Sequence, residues 1–121
     1  MSRPANALRG ETSLPIGGRE FTLRPSFENL VAAEEELGSL FSLVERAAEG
    51  ALSLNEITAL FWHCLPHQDR PERESVGQAV LSLGLEKATE PVRAILAQAL
   101  QGDARAFAKK RHAGVGSQPM R

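Results

Sequence analysis

Two adjacent glycines, Gly17 and Gly18, sit between two short segments of alternating side-chain type, and this pattern constrains the chain more than any other. Glu11 to Ile16 and Arg19 to Arg24 alternate as half-buried strands do, and the glycine pair accepts positive φ at both linking positions. The spacing predicts a β-hairpin. Phe21 and Leu23 share one face of its second arm, with Glu20, Thr22 and Arg24 on the other. Pro25 ends the strand and Ser26 offers an N-cap. Phe27, Leu30, Val31 and Leu37 then recur at helical spacing up to Gly38, a C-terminal stop. The expectation is a first helix that packs back on the hairpin.

Glu34 falls between Leu30, Val31 and Leu37, inside the apolar stripe of that helix. A carboxylate there requires a partner, and the nearest cations in sequence are Arg9, Arg19 and Arg24. The reading is a structural ion pair between Glu34 and one of them. The alternative is a carboxylate that receives a basic residue of a binding partner.

Leu8-Arg9-Gly10-Glu11, Gly17-Gly18, Phe21-x-Leu23, Leu30 and Glu34-x-x-Leu37-Gly38 together resemble the opening of the gene transfer agent tail family. Members of that family resemble phage tail assembly chaperones, and the family is also labelled a tail tube protein. The resemblance covers roughly the first third of the chain, and no catalytic residues come with it. It implies a partner, the tape measure protein, and a role before the tail tube polymerises. The major tail protein is a further partner that it suggests.

The remaining chain reads as short helices. Ser39 caps a second helix with Leu40, Leu43, Val44 and Ala47 on one face, closed by Gly50. Ser53-Leu54-Asn55-Glu56 has the form of a capping box, in which hydroxyl and carboxylate each satisfy a free backbone donor. Leu54, Ile57, Phe61 and Leu65 line the helix that follows, and Pro66 forces its end. Asp69-x-x-Glu72 with Pro71 reads as the start of a fourth helix carrying Val76, Ala79, Val80 and Leu83 up to Gly84. Thr89 or Glu90 before Pro91 starts the last one, with Val92, Ile95, Leu96, Ala99 and Leu100.

The fold class is therefore mainly α, an N-terminal β-hairpin followed by a bundle of about five short helices. With 121 residues and 42% hydrophobic content, a single domain is expected over residues 9–111. Residues 1–8 read as a flexible N terminus and residues 112–121 as a disordered tail. The lone Cys64 leaves no intramolecular disulfide, and neither a signal peptide nor a long apolar span is present, so the cytoplasm is the expected compartment.

Charge is uneven. Asp103 to Arg121 holds Arg105, Lys109, Lys110, Arg111 and Arg121 against one acid, a charge of +4 that leaves −5 for residues 1–102 of the net −1. An acidic body disfavours duplex binding. A helical nucleic-acid-binding regulator, with Lys109-Lys110-Arg111 on phosphate, remains the alternative from another class.

His63-Cys64-x-x-His67 contains zinc-ligand types, but Pro66 breaks the helix that would align the histidines, so no metal is expected. No nucleophile, base and orienting group converge in sequence, and no phosphate-binding glycine pattern exists. The chain reads as a binding protein without cofactors rather than an enzyme. Its candidate contacts for an amphipathic partner helix are Leu60, Trp62 and Leu81, which lie off the main stripes of their helices. For Trp62 the competing reading is a lid on the core. Stoichiometry stays open, with a homo-oligomer among the alternatives.

Overall fold

The computed structural model describes residues 10–101, so the expectations for Arg9 and the two termini lie outside the described residues. Strands β1 (Thr12–Ile16) and β2 (Arg19–Leu23) pair antiparallel, with Leu14 opposite Phe21 and Ile16 opposite Arg19. Gly17 and Gly18 carry φ of 57° and 83°, the tight hairpin turn that their sequence predicts. Five helices follow: α1 (Phe27–Leu37), α2 (Leu40–Ala48), α3 (Leu54–His63), α4 (Arg73–Leu83) and α5 (Leu85–Gln101).

Leu14, Leu23, Leu43, Phe61, Val76, Val80 and Ile95 are almost fully buried, in one core that joins the hairpin to the helices. α4 lies across α3 and over β1, α5 also reaches β1, and α1 packs mainly on α3. This corrects the expectation that α1 covers the hairpin. The backbone explains it: Arg24 N–H donates to the Cys64 carbonyl at 2.8 Å, tying the end of β2 to the end of α3 and sending α1 alongside that helix.

The buried face of α1 is rotated from the predicted stripe. Asn29 and Ala33 are buried, while Phe27 is 85% exposed and Val31 also faces solvent. Asn29 is held inside by hydrogen bonds: its Nδ2 donates to the Arg24 carbonyl at 2.8 Å and its Oδ1 lies 3.2 Å from His67 Nε2.

Three helix starts follow the sequence. Ser26, Ser39 and Ser53 each accept from a backbone N–H three residues on, and Glu56 completes the capping box by accepting from Ser53 N–H at 2.9 Å. Two do not. Asp69 takes a left-handed conformation (φ 60°) in the preceding turn, and α4 begins after Glu72, which makes no side-chain cap bond. α5 starts at Leu85, one turn and a half before Pro91, which becomes an interior helix residue. Ala88 is the reason: fully buried and four residues before Val92, it extends the core stripe toward the helix start.

Gly10 fixes the approach to the hairpin. At φ +74° it lies so close to α5 that a Cβ there would stand 2.5 Å from Gln98 Cβ and 2.9 Å from the Ala94 carbonyl oxygen.

Candidate functional site

The residues singled out in sequence do not converge. Leu60 is 1% exposed and belongs to the core, which removes it from any contact surface. Its place off the predicted stripe is covered because α3 is packed on two sides, by α1 and by α4. Leu81 does face solvent, at 55% exposure. Trp62 is half-buried and fully engaged: its Nε1–H donates to the Pro71 carbonyl at 3.0 Å, and the Arg70 and Arg73 guanidinium groups lie 4.2 and 4.4 Å from its ring centre. It closes the core between α3 and the start of α4.

Glu34 meets neither Arg19 nor Arg24. It is exposed, and its Oε2 accepts the Leu40 N–H at 3.1 Å, satisfying a free donor in the first turn of α2. Arg19 instead pairs with Asp69 at 2.9 Å on the surface, and Arg24 Nε stands 3.6 Å from the buried Glu11 carboxylate. Arg9 lies outside the described residues. The acids that accompany the two described hairpin arginines are thus Asp69 and the buried Glu11, not Glu34.

His63, Cys64 and His67 point to separate surroundings. His63 Nε2 lies 2.7 Å from Glu36 Oε1, His67 faces Asn29 and Glu28, and the Cys64 thiol is buried, which pushes it up to about 12. Among the described residues, no group of three His, Cys, Asp or Glu side chains is placed to hold a metal ion.

A site that sequence reasoning missed lies between α2 and α5. Val44, Ala47 and Ala48 form one wall, and Thr89, Val92, Leu96, Ala97 and Leu100 the other, around a cavity of about 280 Å³. Three of the lining residues, Ala47, Ala48 and Ala97, are alanines, whose small side chains fill less of the space between the two helices than larger ones would. Thr89 supplies one hydroxyl, and it donates to the Leu85 carbonyl at 3.2 Å. Arg93 and Gln101 also line it. The groove therefore offers shape and apolar surface rather than reacting groups.

Large apolar residues continue the groove outward. Phe41, seven residues before Ala48 and so on the same line of α2, is 70% exposed. On α5, Leu85 lies one turn before Thr89 and is 49% exposed, and Leu100 of the groove wall is 50% exposed. The one sequence signal was the double use of α5: its apolar positions spread from Ala88 and Ile95 on the core side to Leu96 and Leu100, a stripe wider than one contact covers.

Residues 9–102 match the family described as phage tail tube protein, GTA-gp10. The chain belongs to that family. The match runs from the residue before Gly10 through the whole of α5, so hairpin, bundle and groove are all inside it. No curated protein and no solved structure matches the chain. Among the described residues, no helix is long and apolar enough to cross a membrane.

Proposed function

We propose that this tail-family protein is a cytoplasmic, non-enzymatic assembly factor, a chaperone that holds a helical segment of the tape measure protein until the tail tube polymerises around it. The observation that carries this reading is the open apolar groove between α2 and α5 in a chain of tail ancestry. A long helical protein awaiting its tube exposes apolar stripes, and a small bundle with an unfilled groove shields such a stripe. The major tail protein is the second partner of this reading. The acidic surface speaks for protein rather than nucleic acid: residues 10–101 hold seven lysines and arginines against fourteen aspartates and glutamates.

The family's description favours a second reading, a structural component of the tail tube. A tube wall built from sheet needs more strands than the two-stranded hairpin of the described residues supplies. One experiment separates the two. The chain is co-expressed with the tape measure protein of the same genome and captured by affinity tag, and purified particles are assayed for it by mass spectrometry. Co-purification with tape measure protein and absence from particles is the chaperone outcome. Presence in particles at the abundance of a repeating subunit, without capture of tape measure protein, overturns it in favour of the tube.

A further inference from the structure

We propose that the groove between α2 and α5 seats an amphipathic helix whose apolar stripe is flanked by lysine or arginine. The inference deepens the assembly-factor reading and rests on it only for the partner being a polypeptide. Three observations define the occupant.

The first is length. From Thr89 to Leu100 the α5 wall runs about 16 Å at the helical rise, three turns, which matches anchors at i, i+3 or i+4, and i+7 of a facing helix.

The second is backbone chemistry. Both walls are helices whose backbone groups are bonded internally, so they offer an extended peptide nothing to pair with. A helix brings its own backbone pairs satisfied and needs only side-chain contacts.

The third is charge. On the α2 side Glu45 follows Phe41 by one turn, and on the α5 side Glu86 and Glu90 lie one turn apart on the outer shoulder. All three are exposed, and no lysine or arginine of the described residues pairs with them. Against them stands one cation, Arg93, which lines the groove itself. Glu45, Glu86 and Glu90 each precede a lining residue, Ala48, Thr89 and Arg93, by three positions, so by helical spacing they neighbour the groove from both helices; there they complement cations beside an apolar stripe and disfavour an acidic helix by like-charge contact.

The test uses the full chain and a fluorescein-labelled model helix of about 18 residues, long enough to fold on the groove, with leucines at i, i+3, i+4 and i+7 and lysines on the flanks. Two controls have the same composition scrambled, or glutamates replacing the lysines. Fluorescence anisotropy at physiological salt should show binding of the patterned lysine peptide, with both controls at least ~10-fold weaker. Ala97→Trp, which fills the groove, should weaken binding ~10-fold, with circular dichroism verifying the fold. Glu45→Lys with Glu90→Lys, both on the surface, should weaken it several-fold and flatten its salt dependence.

Equal binding of the scrambled peptide, or indifference to both sets of variants, would overturn the proposal. So would a gain of ~10-fold on replacing Lys109, Lys110 and Arg111 by Gln, which would assign the groove to the chain's own basic C-terminal stretch. Tape measure capture that survives Ala97→Trp, with no model peptide bound, ends this inference and leaves the assembly reading intact. Model peptides bound in the groove without tape measure capture do the reverse.

Discussion

Glu36 of α1 and Arg73 of α4 meet in a two-pronged ion pair, Oε2 accepting from Nη1 at 2.7 Å while Oε1 accepts from Nη2. The same Oε1 lies 2.7 Å from His63 Nε2 of α3, so one carboxylate ties three helices at the edge of the core. Arg73 also lies over the Trp62 ring, which adds a fourth contact to the cluster.

Glu36 makes the acid limb of stability predictable. The Arg73 hydrogen bond first, and then His63, lower its carboxyl from 4.5 to about 2. A carboxylate lowered in the folded state contributes stability above its unfolded value, and the contribution is lost as pH falls from 4.5 toward about 2. The pair is partly exposed, so solvent screening limits its worth to about 1 kcal/mol. Glu36→Gln should therefore destabilise by about that amount at neutral pH and reduce the loss on acidification. Urea unfolding of both proteins at pH 7 and pH 3 measures the difference. An unchanged acid limb in the variant would refute the assignment.

Gly10→Ala should cost about 1–3 kcal/mol or more, since φ +74° disfavours a side chain and its Cβ would collide with Gln98 Cβ and the Ala94 carbonyl of α5. Gly17→Ala has the same kind of backbone cost but open space around it. Thermal unfolding of the pair separates collision from backbone preference. Gly10→Ala no worse than Gly17→Ala would show that the approach to α5 is not tight.

These two sites mark what was legible in the sequence and what was not. The hairpin was readable because Gly17-Gly18 restricts the turn locally, and so were the starts of α1, α2 and α3, whose serine caps act within four residues. The face of α1 was not. Its apolar residues surround the helix, and the choice among them is made by Asn29, whose bonds to Arg24 and His67 join segments far apart in sequence. The start of α5 was obscured because Pro91 fits a first turn, whereas burial of Ala88 outweighs the proline's missing donor. The groove was hidden for a similar reason. Val44, Leu96 and Leu100 read as core, and only the separation of α2 from α5 decides that part of their surface is open.

Glu34→Ala should lower stability by about 0.5–1 kcal/mol, because the carboxylate caps the Leu40 N–H and adds a favourable charge at the start of α2. Glu34→Gln keeps an acceptor and should cost less. Urea unfolding of both decides this. A loss of several kcal/mol for Glu34→Ala would restore the buried ion pair expected from its spacing. Parental stability together with lost tape measure capture would make Glu34 a partner contact.

Nucleic acid should not bind. The excess of seven acids over residues 10–101 repels phosphate, and the cations at Arg105 and Lys109 to Arg111 are too few to offset it. Gel-shift titration with duplex DNA at physiological salt should show no micromolar complex. Tight binding abolished by neutralising Lys109, Lys110 and Arg111 would support the regulator alternative.

Trp62 is the chain's one tryptophan, and its contacts define a structural role that mutation can isolate. The Arg70 and Arg73 guanidinium groups both lie over its ring, and its Nε1–H meets the Pro71 carbonyl at the turn into α4. Trp62→Phe keeps an aromatic face for the two guanidinium groups but removes the donor, leaving the Pro71 carbonyl to water at a cost of about 1 kcal/mol. Trp62→Ala also removes the packing and the cation–π contacts, and the loss should rise to about 3–5 kcal/mol. Circular dichroism during urea unfolding measures both, while the parent's single-tryptophan fluorescence reports the same transition from this corner of the core. Tape measure capture is then compared for the parent and Trp62→Phe at a temperature where both are folded. Equal capture places Trp62 in the framework. Parental stability with capture abolished would instead make the indole a partner anchor and move the binding surface from the α2–α5 groove to the junction of α3 and α4.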